Sequence, residues 1–247
     1  VQFLLNQPDH LASPPLPSAT GKRWDEWRQS ALTLSALHRL SAPSDAALPF
    51  FKPLVEAGAV SAWLASLDWA APCESSQPAR LMAVSLAQEY ARTGASIHWQ
   101  ALEVMGQWLS ARVMSETGAW TFDQPLTHIE ALSNACNLAP LFTLLGHPLP
   151  AGGPLIATIL DLQRFSGLFG AGQSDEVWAD LAAVDILARL TQSTINRTAE
   201  VRLAMALALR AILRQQRPDG GFATNAQSET CELRPTWLRS LTLAIIA

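Results

Sequence analysis

The sequence predicts an all-α fold, and three observations carry that reading. A short string recurs at a near-constant interval: an apolar residue, Gln, Gly and an aromatic at Ile212, Gln216, Gly220 and Phe222, and again at Ile159, Gln163, Gly167 and Phe169. Apolar residues elsewhere recur at three and four positions, the spacing of one helix face. No run of useful length alternates with period two, so strands are not expected. Weaker copies of the string lie at Met114, Gly118 and Trp120, where Met replaces Gln, and at Leu67, Asp68 and Trp69. The aromatics therefore stand at 69, 120, 169 and 222, a period of 49 to 53 residues. Such a period fits two helices and a turn per unit, each unit covering its neighbour's apolar face.

Taken in order, Pro8, Pro14, Pro15 and Pro17 with the surrounding Ser, Thr and Gly predict an irregular arm over residues 1–23. Trp24, Trp27, Ala31, Leu34 and Leu37 then fall on one helix face, ending near Ser41 before Pro43. A second helix is expected over about 48–66, up to the Leu67-Asp68-Trp69 turn. Further helices are expected near 76–92, 98–115, 127–145, 153–165, 176–192, 197–216 and 235–247, some nine in all. Gly118, Gly167 and Gly220 precede the aromatics because a helix commonly ends in a left-handed residue, which glycine adopts without strain. Residues 24–247 are read as one domain, since each pair needs its neighbours for burial.

Composition narrows the function classes. Hydrophobic residues make up 49% and charged residues 15% of the 247, which suits helices buried on two sides and speaks against disorder. The net charge is −4 and no basic cluster exceeds Lys22-Arg23, so the electrostatic footprint of a nucleic-acid binder is missing. Cys73, Cys136 and Cys231 are odd in number and far apart, unlike a disulfide framework or a paired-thiolate zinc module. No apolar run reaches the ~20 residues of a membrane span, and Val1–Leu5 lacks the basic flank and apolar core of a signal peptide. A cytoplasmic location is the expectation.

The Gln and Gly-x-aromatic string resembles the repeat of the terpenoid cyclases and protein prenyltransferase β subunits over roughly residues 45–247, most closely from 155 onward. The resemblance implies an α/α toroid, here a partial ring of about four helical-hairpin repeats plus an N-terminal helix, with the helix after each aromatic turn lining the centre. It implies an apolar or isoprenoid-type small molecule bound or transformed in a central cavity. The same fold also serves as a non-catalytic binding or scaffold module, and that alternative stays open. Because such rings hold more pairs, a protein partner that completes the ring is a further expectation.

Polar residues on the expected lining helices are the candidate site. Thr127, Glu130, Asn134 and Asn137 form a stripe at intervals of three, four and three, with His128 beside it. Either the stripe contacts ligand, or Asn134 and Asn137 fasten neighbouring loops, since buried amides are normally satisfied within the protein. Asp180 and Asp185 are the other candidate acids, alongside Glu130, because cyclases of this resemblance protonate their substrate with an Asp of raised pKa. Asp185 has an ordinary alternative in an ion pair with Arg189 four residues on. Asp180-Leu-Ala-Ala-Val-Asp185 does not reproduce the cyclases' Asp-x-Asp-Asp motif. Trp178 and Trp237 are candidate substrate contacts, with a core role as the alternative. Glu229-Thr230-Cys231 after Gly220-Gly221-Phe222 resembles the prenyltransferase Asp-x-Cys zinc element, but no His follows His147. Two ligands are too few for a tightly held catalytic ion, so neither a metal nor another cofactor is expected.

Overall fold

In a computed structural model, residues 59–69, 72–120, 127–170, 176–193, 197–223 and 231–246 are described. They form eight helices: α1 (Ala59–Ser66), α2 (Pro72–Thr93), α3 (Ser96–Ser110), α4 (His128–Leu145), α5 (Gly152–Asp161), α6 (Glu176–Ser193), α7 (Thr198–Leu213) and α8 (Leu233–Ile246). No strand occurs among the described residues. The nearest approach is a pair of isolated antiparallel contacts, Val113 with Trp120 and Gln216 with Phe222. The predicted arm over 1–23 and the helix over 24–41 lie outside the described residues, as does the first part of the helix expected over 48–66.

The chain divides into two compact units, one comprising Val1–Ala111 with Pro140–Gly146 and the other Arg112–Ala139 with His147–Ala247. In the first, α1 and α2 both pack against α3. Val60, Trp63, Leu64, Leu86, Leu102, Met105 and Leu109 form its interior. The Leu67–Trp69 turn lacks a glycine and closes differently from the others. The Trp69 indole N–H donates to the Leu64 carbonyl at 2.8 Å, and its ring leans on Trp108 with centroids 5.7 Å apart.

In the second unit the helical repeat is plain. The first helices α5 and α7 touch one another, and the second helices α6 and α8 pack closely. Nearly every residue of α6 from Val177 to Leu190 is buried or partly buried, which explains its lack of a single polar face. The predicted helices 98–115, 153–165 and 197–216 stop earlier, at Ser110, Asp161 and Leu213. The reason in the last two is the glutamine of the repeat. Gln163 and Gln216 leave the helix so that their amide N–H groups can cross the turn to the carbonyls of Gly167 (2.8 Å) and Gly220 (2.9 Å).

The three glycines before the aromatics all have positive φ: +68° at Gly118, +93° at Gly167 and +86° at Gly220. At the first two, space is limiting as well. A Cβ on Gly118 would stand 2.6 Å from the Ala151 carbonyl oxygen, and one on Gly167 would stand 2.7 Å from that of Leu207. Each of these turns therefore lies directly against the first helix of the following pair or its lead-in. Thr158 of α5 fastens the earlier contact by donating to the Thr117 carbonyl at 2.9 Å. Gln163 fastens the later one, its amide also donating to the Ala204 carbonyl of α7 at 2.8 Å.

Candidate functional site

The aromatics Trp120, Phe169 and Phe222 are buried, with exposures of 0%, 2% and 2%. Their burial leaves main-chain groups that need partners, and in each turn a polar side chain from the second helix supplies one. Asn134 of α4 donates its Nδ2 to the Trp120 carbonyl at 3.0 Å. Asp180 of α6 accepts the Phe169 N–H on Oδ1 at 2.6 Å. Thr236 of α8 accepts the Phe222 N–H at 2.9 Å and returns its own hydroxyl proton to the Phe222 carbonyl at 3.2 Å. Asn134, Asp180 and Thr236 are thus equivalent positions of the repeat, filled by an amide, a carboxylate and a hydroxyl.

Asp180 does more than hold its own turn. Its Oδ2 is ion-paired with Arg239 Nη1 of α8, both side chains being almost completely buried. Arg239 Nη2 in turn donates to Gln215 Oε1 at 3.0 Å. A buried polar line therefore runs from the Phe169 turn through Asp180 and Arg239 to the turn between α7 and α8. Burial pushes the Asp180 carboxyl above the usual carboxylate range, against the pull of Arg239 and of the Phe169 and Gly170 N–H groups.

The other predicted acids are also engaged. Glu130 forms a capping box with Thr127: its Oε2 accepts the Thr127 N–H and hydroxyl, each at 2.8 Å, while Thr127 Oγ1 accepts the Glu130 N–H at 3.3 Å. The Thr127 N–H and hydroxyl hold its carboxyl below the usual range. Asp185 is bidentate to Arg189, at 2.9 Å to Nε and 3.0 Å to Nη2. Asn137 is buried. His128 begins α4, and its side chain lies outside the described residues. Trp178 is half-buried, whereas Trp237 is 60% exposed on α8. The predicted stripe is therefore divided: Thr127 and Glu130 close a helix end, and Asn134 secures a turn.

Glu229 lies outside the described residues. Cys231 donates its thiol to Asp219 Oδ1 at 2.9 Å, and the same oxygen accepts the Gly221 N–H at 3.0 Å. That carboxylate raises the thiol's pKa, and the thiol's hydrogen bond lowers that of Asp219. Cys231 packs on the Gly221 end of the Gly220 turn, where an added Cβ would stand 2.8 Å from its Sγ. Among the described residues, no group of three His, Cys, Asp or Glu side chains could hold a metal ion.

The comparisons with known proteins give no relative. No family model, curated protein or solved structure matches the chain. Two residues of the polar line, Arg239 and Gln215, escaped the sequence reading. Gln215 adjoins the repeat glutamine and Arg239 is a cation set between Leu238 and Leu241 in an apolar stretch of helix, which is the signal that could have marked a buried pair. Among the described residues no helix is long and apolar enough to cross a membrane.

Proposed function

We propose that this chain is a non-catalytic module of α/α-toroid type, a binding or scaffold element rather than a cyclase or prenyltransferase. The observation that carries the reading is how its acids are engaged. A Brønsted-acid cyclase needs a carboxyl proton aimed at the substrate. Asp180 has the raised pKa for that role, but Phe169 N–H occupies one oxygen and Arg239 the other. Asp185 is committed to Arg189 and Glu130 to its helix cap. These contacts make each acid a structural fastening, and Asp180 a link between successive helix pairs.

The reading is tested by turnover. The full chain is incubated with isoprenoid diphosphates of several lengths and with a linear polyene, and the extracts are analysed by gas chromatography and mass spectrometry. No product above the protein-free blank is expected. A cyclised or transferred product formed by the full chain above the blank would overturn it in favour of catalysis on an apolar isoprenoid substrate.

A further inference from the structure

One outer surface of the second unit carries arginines and leucines that the repeat does not require. The buried side of α7 is Val201, Ala204, Ala208, Ala211 and Ile212, and the helix packs on α5, α6 and α8. On its other side, at 3.6 residues per turn, Arg202, Leu213, Arg210, Leu203, Arg214 and Leu207 succeed one another around an arc of about 140°. All six are exposed, Leu203 at 62% and Leu213 at 48%.

The preceding turn adds to this face. A Cβ on Gly167 would stand 3.3 Å from that of Leu207, so exposed Arg164 and fully exposed Phe165 of the same turn stand next to the Leu207 edge. The repeat dictates neither part. Glu116 and Pro218 take the place of Phe165 in the Gly118 and Gly220 turns, and on α5 Pro154, Ala157 and Asp161 take the places of Leu207, Arg210 and Arg214. Acids are missing from the face: none occurs over 162–170 or 201–218. Among the described residues, none of Arg164, Arg202, Arg210 and Arg214 is ion-paired.

We propose that the outer face of α7, with the Phe165 turn, is a peripheral membrane-binding surface that takes anionic phospholipid. Charge complementarity sets the sign of the partner, since four arginines and no carboxylate face it. The alternation sets its kind. A protein interface gathers its apolar residues into a core and leaves charge to the rim, whereas here every leucine of the arc has an arginine beside it. A nucleic acid would meet the arginines and leave Leu203, Leu207, Leu213 and Phe165 without a partner. A helix lying along an anionic bilayer satisfies both sets: guanidinium groups stay at the phosphate level on their apolar stems, and the leucines and Phe165 reach the acyl boundary. The face is opposite the side of α7 that packs within the unit, so the proposal does not rest on the absence of turnover, and a product found in that assay would leave it standing.

Flotation of the full chain with vesicles of phosphatidylcholine, alone or mixed with phosphatidylserine, tests this. Binding to the mixed vesicles is expected, weakening as salt is raised, with little binding to phosphatidylcholine alone. Arg210→Gln lowers partitioning about fivefold, and the double variant Arg210→Gln, Arg214→Gln about twenty-fivefold, from about 1 kcal/mol per arginine at an anionic surface. Phe165→Ser lowers it about tenfold, while Trp237→Ser, at the exposed aromatic of α8, leaves it unchanged. The four side chains are exposed, so melting temperatures stay at the parent value. Absence of binding to the mixed vesicles at low salt, equal binding to phosphatidylcholine alone, or a loss caused by Trp237→Ser and not by Phe165→Ser each overturns the assignment. Binding that Phe165→Ser leaves intact and that polyglutamate removes overturns it in favour of an acidic protein.

Discussion

The carboxylate of Asp180 accepts the main-chain N–H of Phe169 at 2.6 Å while ion-paired with Arg239 of the next helix pair. One buried side chain therefore holds its own turn and the neighbouring repeat together. Such a pair adds little net stability compared with apolar residues of the same volume, but removing one partner leaves an uncompensated buried charge.

Asp180→Asn keeps an oxygen for the Phe169 N–H and strands the Arg239 guanidinium. A loss of about 3–5 kcal/mol is expected from urea denaturation, the range for breaking a buried pair. Arg239→Met leaves Asp180 buried and loses a comparable amount. The double variant Asp180→Asn, Arg239→Met recovers most of it, and a double-mutant cycle measures the coupling. Additive losses would show that the two groups do not act on one another.

The capping box of α4 gives a pH dependence of defined sign. Hydrogen bonds from Thr127 depress the Glu130 carboxyl in the folded state. Its contribution is therefore fully present above the unfolded Glu pKa of about 4.3 and is lost as pH falls through the lower folded value. Thr127→Ala and Glu130→Ala should each lower stability at pH 7 by about 0.5–1 kcal/mol, typical for a lost cap. At pH 3 the gap between Glu130→Ala and the parent chain narrows. A gap that widens on acidification would contradict the assignment.

The spacing of the aromatics was enough to find the repeat because a turn that buries an aromatic leaves few alternatives for the residues around it. Gly118, Gly167 and Gly220 were legible for the same reason, since a left-handed turn excludes most side chains. The fastening residues were not. Asn134, Asp180 and Thr236 stand 14, 11 and 14 residues beyond Trp120, Phe169 and Phe222, and each meets the same need with different chemistry. A pattern in residue type cannot reveal a shared requirement for a hydrogen-bond partner. Asp185 with Arg189 was readable from its i, i+4 spacing alone, while Asp180 with Arg239, 59 residues apart, needed the fold.

If the three fastenings are one device, the hydroxyl version can be removed almost isosterically. Thr236→Val keeps the shape and deletes both bonds to Phe222. A loss of about 1–3 kcal/mol is expected for leaving a main-chain N–H without its partner, with Thr236→Ser retaining most of the stability. Equal melting temperatures for the Val and Ser variants would show that the hydroxyl contributes nothing.

The glycines separate strain from space. All three require positive φ, which costs a non-glycine residue roughly 1–2 kcal/mol. Gly220→Ala meets only that penalty, since its Cβ direction is open. Gly118→Ala and Gly167→Ala add a clash with main chain, at 2.6 Å and 2.7 Å from carbonyl oxygens that no rotamer change can move aside. Relief there requires the following helix to shift, breaking the Thr158–Thr117 bond in one case and the Gln163–Ala204 bond in the other. Losses of about 3 kcal/mol or more are expected at these two positions, from overpacking added to the φ penalty, against about 1–2 kcal/mol at Gly220. Thermal and urea denaturation of the three alanine variants give the order. If Gly220→Ala proves as damaging as Gly167→Ala, the main-chain clash adds nothing, and positive φ alone sets the cost at both turns.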